Sequence, residues 1–219
     1  RAAVIYEERA AADDEAVRAF EAALALDPAS RPALAGLARA HYRSRQLEAL
    51  AAVLLKQAAS EQNPASASAL AVEASRIYAL RLGRVDDALA ATTRALSLDP
   101  ANVAAIADHA RLLARLSRAE PLAEALGSLG QALADPIDKA AAYRLQAEIV
   151  EWQLGGKREA LAAVERAAAA MSAERHSGAA ATLHAGPDFP QAGLAVWKVL
   201  SKHGAGQNQH RSHAQSPHP

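Results

Sequence analysis

The chain repeats its own sequence at an interval of 72 residues, and this repeat constrains the fold more than any other feature. Residues 23–28 read ALALDP, and residues 95–100 read ALSLDP. Alanines with helical spacing recur at this interval in three copies: Ala16, Ala19 and Ala23; Ala88, Ala91 and Ala95; Ala160, Ala163 and Ala167. A register kept through three copies is typical of repeat proteins, in which each small unit packs mainly on its neighbours.

Signals for the starts and ends of helices recur at the same interval. Asn or Asp before proline favours a helix start, because the side chain accepts a hydrogen bond from a free amide and proline is tolerated in the first turn. Glycine favours a left-handed helix end, and an Asp-Pro pair ends a helix because proline disfavours helical geometry in the preceding residue. The starts are Asn63-Pro64 and Asp135-Pro136, and the ends are Gly83, Gly155, Asp27-Pro28 and Asp99-Pro100.

Between these signals the sequence predicts helices throughout residues 1–171. They lie at about 1–11, 13–26, 31–44, 47–60, 64–82, 85–98, 103–117, 120–134, 136–154 and 157–171. The short connections place consecutive helices side by side, so the expected fold is all-α, an α-solenoid of antiparallel helix pairs.

Composition and charge exclude several classes of function. Basic and acidic residues are equal in number, 24 of each, and are interspersed, whereas a nucleic-acid-binding protein usually carries a basic patch. The chain has no cysteine and no apolar stretch near the roughly 20 residues of a membrane span. We therefore expect a soluble, cytoplasmic protein with neither a nucleic acid nor a membrane as partner.

The helix-pair pattern resembles the tetratricopeptide repeat. The second helix of that family carries Ala-x3-Phe-x2-Ala-x4-Pro, which Ala16, Phe20, Ala23 and Pro28 match completely. Weaker matches are Ala88, Thr92, Ala95 and Pro100 in the second copy, Ala160, Val164 and Ala167 in the third, and Leu34, Leu37, Ala38 and His41-Tyr42 in a first helix. Regular units alternate with degenerate ones, as in arrays of large, alanine-rich bacterial proteins.

The resemblance covers residues 1–171 and implies a right-handed superhelix that binds a peptide or partner helix on the concave face lined by its first helices. It implies no enzymatic activity and no cofactor. Because Arg1 begins inside a helical pattern with no capping residue before it, we expect a fragment that starts within a repeat.

Side chains on the first helices are the candidate partner-binding residues: Arg39, Tyr42, Arg43, Arg76, Arg111 and Arg115. Arginine forks bind carboxylates bidentately, so these residues would suit an acidic partner. The alternative is that the arginines are solvated and pair with nearby acidic residues, as most charged helix residues do.

No motif for catalysis or metal binding is present. The acidic clusters Asp13–Glu15 and Asp86-Asp87 precede or open second helices, where they complement the helix dipole. His41 and His109 lie within predicted helices and have no ligand-spaced Cys or acidic neighbours, so we interpret them as core or surface histidines. We expect no enzyme.

The sequence stops matching the repeat after about residue 172. Residues 191–202 contain an apolar pattern that could form a helix capping the last repeat, and residues 203–219 are His-rich and expected to be disordered. His210 and His213 could bind a transition metal. A non-native continuation, such as a junction or a frame-shifted read, is a further alternative.

The sequence therefore predicts a protein-protein interaction scaffold. The first alternative is a structural spacer or regulatory module within a larger multidomain protein, and the second is metal binding by the His-rich tail. The partner's identity and the oligomeric state do not follow from the sequence.

Overall fold

The computed structural model describes the backbone of residues 13–176 and the side chains of residues 14–172. Within this part the elements are α1 (Asp13–Leu26), α2 (Arg31–Arg43), α3 (Leu47–Ser60), α4 (Pro64–Arg76) with a π-helical turn (Ile77–Arg81), α5 (Val85–Leu98), α6 (Val103–Arg115), α7 (Ala119–Ala132), α8 (Pro136–Trp152) and α9 (Lys157–His176). The helix expected at 1–11, the capping helix near 191–202 and the tail at 203–219 lie outside the described residues.

The all-α, helix-repeat prediction is confirmed, because the described residues form helices joined by short turns. Consecutive helices pack on each other from α1 to α5 and from α7 to α9. Two details differ from the prediction. The helix expected at 64–82 changes to π geometry at Ile77, where the Leu82 amide donates to the Ile77 carbonyl at 3.2 Å. Helix α9 continues to His176 rather than 171, since no glycine or proline occurs between Gly156 and Gly178.

The chain forms two compact units that divide between Ala105 and Ile106, within α6. Unit 1 contains α1 to α5 and the start of α6. Unit 2 contains the rest of α6 and α7 to α9.

Two helix starts use the caps that the sequence indicates. The Asn63 side chain accepts a hydrogen bond from the Ser66 amide at 3.1 Å. Asp135 Oδ1 accepts from the Ile137 amide at 2.8 Å and from the Asp138 amide at 3.1 Å. Both predicted starts are therefore confirmed, and each satisfies amides that a helix start leaves unpaired.

The first helices α2, α4, α6 and α8 all end in the same way. A residue with positive φ follows each of them: Arg45 (57°), Gly83 (69°), Ser117 (53°) and Gly155 (72°). The amide after each positive-φ residue donates back to the last helical turn, at 2.9, 2.8, 3.0 and 3.0 Å respectively. This is the Schellman helix end. The two glycines confirm the prediction, and the four positions define one common register for the first helices.

Phe20 and Gly36 join α1 to α2 in unit 1. Phe20 is 3% exposed, and a Cβ on Gly36 would lie 2.1 Å from its Cζ atom. The aromatic residue of the most complete motif therefore packs on a backbone that has no side chain, which lets the two helices approach closely.

Tyr143 and Gly130 join α8 to α7 in unit 2 in the same manner. A Cβ on Gly130 would lie 2.5 Å from the Tyr143 ring, and the Arg166 guanidinium of α9 lies 5.2 Å from the ring centroid. The residues 72 positions earlier are Ala58 and Ala71, which share a core cluster in unit 1. Compared with Ala58 and Ala71 in unit 1, unit 2 thus has a larger side chain at position 143 and a smaller one at position 130.

Candidate functional site

The register of the first helices reveals a recurring exposed position three residues before each positive-φ residue. It is occupied by Tyr42, Leu80, Ala114 and Trp152. Tyr42 is 71% exposed, Leu80 72% and Trp152 79%, and Ala114 is also exposed. Single exposed apolar side chains are common on protein surfaces. Exposure of a large apolar residue at one register position in three helices is a pattern rather than scatter.

The next position in the register is basic in three of the four helices. It holds Arg43, Arg81, Arg115 and Gln153, all exposed. We call these four residues and the four before them the first-helix ladder. A rung is the pair of consecutive residues that one helix contributes to the ladder. Unit 1 contains the rungs Tyr42-Arg43 and Leu80-Arg81, and each consists of a large apolar residue followed by an arginine.

Arg84, which immediately precedes α5, connects the start of α3 to the π turn after α4 within unit 1. Its guanidinium forms ion pairs with Asp87 at 2.6 Å and with Glu48, which is in the first turn after α2. It also lies 5.4 Å from the ring centroid of Tyr78, in the π turn after α4. These contacts place the two complete rungs at the same end of unit 1.

The electrostatics of this junction follow from its contacts. Hydrogen bonds to Asp87 and Glu48 raise the pKa of Arg84, so the guanidinium stays charged. Burial raises the pKa of the Tyr78 phenol, which therefore stays neutral. The junction therefore places a charged guanidinium beside a neutral phenol.

The predicted residues on α2 lie on one exposed stripe. Pro32, Arg39 and Arg43 are exposed at intervals of seven and four residues, and Tyr42 is beside them. Such spacing places side chains on one helical face.

Arg76 does not share the register of the other predicted residues. It is half-buried, with a buried Nη2 atom. Its register equivalents are Ala38, which is 9% exposed, Ala110, which is 0% exposed, and Glu148, which is half-buried. This position is therefore at least partly covered in all four first helices.

Arg111 lies in unit 2 and pairs locally. It forms an ion pair with Asp108, three residues earlier on α6, whose side chain is only 5% exposed. This contact is of the kind that the alternative interpretation of the arginines describes, whereas Arg115 is exposed at the helix end.

The two histidines within the helices, His41 and His109, are at least partly buried. His41 is buried, and its Nδ1 lies 2.7 Å from Gln46 Oε1. His109 is half-buried, and burial lowers its pKa.

Sequence reasoning missed Leu80, Arg81 and Trp152. Leu80 and Trp152 lie 72 residues apart and two residues before the Leu-Gly pairs at 82-83 and 154-155, so the repeat could have identified them. The sequence did not reveal that Tyr42 and Leu80 occupy the same register position, because an arginine such as Arg45 does not signal a left-handed helix end.

A separate concavity of about 430 Å³ lies at the other ends of α1 to α3. Its lining is mostly apolar, including Leu24, Pro28 and Leu34, with Lys56 and Ser60 at its polar part. It contains none of the ladder residues.

Neither a cluster of metal ligands nor an apolar helix of membrane-spanning length occurs in residues 13–176. That range contains no group of three or more His, Asp or Glu side chains that could hold a metal ion. None of its helices is both long and apolar enough to cross a membrane. His210 and His213 lie outside this range.

No protein-family model and no curated protein matches the chain. Solved structures that resemble it include MamA, with 16% identity over 83% of this chain and 98% of MamA and a TM-score of 0.47. Another is YrrB, described as a TPR protein with an unusual peptide-binding site, with 16% identity over 74% of this chain and 84% of YrrB and a TM-score of 0.44.

Proposed function

We propose that the chain is a non-enzymatic interaction scaffold whose first helices bind a peptide or partner helix. The observation that carries the proposal is the first-helix ladder, in which exposed large apolar residues and arginines recur at fixed register positions. Aromatic residues and arginine are the types most enriched where binding energy concentrates in interfaces. Repetition of one such pair is the expected form of a binding surface in a repeat protein.

The partner proposed for unit 1 carries both acidic and apolar side chains. Arg43 and Arg81 would engage carboxylates, and Tyr42 and Leu80 would contact apolar side chains next to them. Exposed ion pairs contribute only about 0–1 kcal/mol each, so the apolar contacts would supply most of the affinity and the arginines the choice of partner.

A peptide array tests this function directly. The full chain would be applied to immobilised peptides that vary in Asp and Glu content and in Leu and Phe content, and the best binders would then be titrated in solution. We expect binding to require both residue types and to weaken as salt is raised, because exposed charge pairs are screened.

Matched variants separate the ladder from nonspecific charge. Arg43→Glu with Arg81→Glu changes the ladder, and Arg18→Glu with Arg94→Glu makes the same charge change on exposed positions of α1 and α5. Tyr42→Ala with Leu80→Ala is matched by Leu26→Ala, because Leu26 is 90% exposed on a second helix. We expect the ladder variants to lose about tenfold or more in affinity, about 1.4 kcal/mol, while the controls bind normally and all keep their helical circular dichroism.

The spacer or regulatory module is the competing function. The local pairing of Arg111 with Asp108 favours it for that arginine. If no peptide is preferred, or if ladder and control variants change binding equally, the ladder is not a binding surface and the spacer function replaces it.

A further inference from the structure

Helix α9 exposes an apolar face that the equivalent helices bury. Leu161 is 60% exposed and Val164 is 48% exposed. The residues 72 positions earlier on α5, Leu89 and Thr92, are 9% and 0% exposed. One further interval back, at the start of the chain, Phe20 is 3% exposed on α1. The same register position is therefore buried in two copies and exposed in the third.

The buried copies show what covers this face. Phe20 of α1 packs on Gly36 of the following first helix, α2. On α5, Ala95 and Leu96 belong to one core cluster with Ala105 at the start of the following first helix, α6. In both of these copies, the second helix thus uses this face to contact the first helix that comes next. No such helix follows α9 among the described residues.

The chain itself continues with a segment that has the right pattern. Residues 191–202 read QAGLAVWKVLSK. At 100° per residue, Val196, Trp197, Val199 and Leu200 fall on one side of a helix, and Lys198 and Lys202 fall on the other. Residues 177–190 contain Gly178, Gly186, Pro187 and Pro190, which interrupt a helix.

The connecting residues are long enough to bring this segment back along α9. Fourteen residues, 177–190, span at most about 46–50 Å when extended. The rise from Leu161 to the end of α9 at His176 is about 22 Å. The segment can therefore reach Leu161 and lie alongside α9, as a first helix lies alongside the second helix before it.

We propose that residues 191–202 bind the exposed Leu161–Val164 face of α9 within the same chain. The segment replaces the first helix of a further repeat and buries Trp197 and Leu200 against α9. A chain that covered this face with a second copy of itself, or left it open for another protein, would lack this intramolecular contact.

Tryptophan fluorescence of the full chain tests the contact. The chain has two tryptophans, and Trp152 is exposed, so Trp152→Phe leaves Trp197 as the single reporter. We expect Trp197 emission to be blue-shifted relative to the urea-unfolded chain and protected from acrylamide. Leu161→Asp should abolish both effects, and the matched change Leu26→Asp in unit 1 should leave them intact. An emission that matches the unfolded chain, or one that Leu161→Asp leaves unchanged, overturns the proposal.

Engineered disulfides give a second test that does not depend on an aspartate in α9. Because the chain has no cysteine, Leu161→Cys with Leu200→Cys creates one possible pair, and Leu26→Cys with Leu200→Cys is the control. We expect rapid intramolecular oxidation of the first pair only. Equal rates for the two pairs, or oxidation of the first pair only between chains in a dimer detected by light scattering, overturns the proposal.

Discussion

The contact between Gly130 and Tyr143 predicts that one substitution destabilises the chain when Tyr143 is present and stabilises it when Tyr143 is replaced by alanine. The substitution is Gly130→Ala, alone and combined with Tyr143→Ala. A Cβ on Gly130 would lie 2.5, 2.8 and 2.8 Å from three atoms of the Tyr143 ring. Real Cβ atoms do not approach so closely, so the ring, which is 7% exposed, must move.

Two opposing free-energy changes set the magnitude. Overpacking a filled core costs about 1–3 kcal/mol, whereas replacing a helical glycine by alanine gains about 1 kcal/mol. With the tyrosine present, the clash exceeds the gain, and we expect a net loss of about 1 kcal/mol. With Tyr143→Ala the obstruction is gone, so the same substitution should stabilise by about 1 kcal/mol. Ala58 and Ala71 at the equivalent positions of unit 1 show that this combination packs.

Urea unfolding monitored by far-UV circular dichroism measures the cycle. The four chains are the parent, each single variant and the double variant, and the interaction free energy is the difference between the two effects of Gly130→Ala. Tyr143→Ala alone should cost about 3–5 kcal/mol, as for other buried aromatic residues. Equal effects of Gly130→Ala in both backgrounds would refute the packing argument.

Other expectations follow from single positions. Ala88→Leu should cost about 1–3 kcal/mol through overpacking, because Ala88 is fully buried; an unchanged thermal melt would contradict close packing there. Gly83→Ala should cost about 1–2 kcal/mol because Gly83 has a positive φ, although nothing lies within 4 Å of the added Cβ. Arg45→Gly should stabilise the chain, because Arg45 also has a positive φ. Equal melting temperatures for the parent and both variants would oppose this expectation. Burial lowers the pKa of His109 below 6.5, so the unfolded chain binds the proton more tightly, and stability should fall as pH drops below about 6.5 toward the folded-state pKa. Urea midpoints between pH 5 and 8 should show less of this fall in His109→Gln, and an identical pH dependence would count against it.

Local signals made most of the fold predictable. Asn63 and Asp135 begin helices, and Gly83 and Gly155 end them, through interactions within a few residues of each position. Such short-range interactions can be predicted from the types of residues that are adjacent in the sequence. Arg45 is the counterexample, because its left-handed conformation has no signal in its residue type.

The candidate site was less predictable, because it depends on which residues meet in three dimensions. Arg39 and Arg43 follow from helical spacing on one helix. The exposed Leu80 could be linked to Tyr42 only after the helix ends had given a common register. The partly covered position of Arg76 matches that of its register equivalents, which the sequence does not reveal.

The two contacts between an aromatic ring and a glycine help the repeats to pair in the correct order during folding. If α6 followed α1 directly, Asp108 would take the register position of Gly36, and Phe20 would meet a carboxylate-bearing side chain instead of bare backbone. Near-identical repeats are otherwise prone to pair out of order or to exchange between molecules. A mismatched neighbour here would place a side chain in the space that the aromatic ring occupies, which costs stability. Each aromatic residue therefore packs well only on the helix that carries its matching glycine, which favours the correct order of the helices. The two pairs are Phe20 with Gly36 and Tyr143 with Gly130.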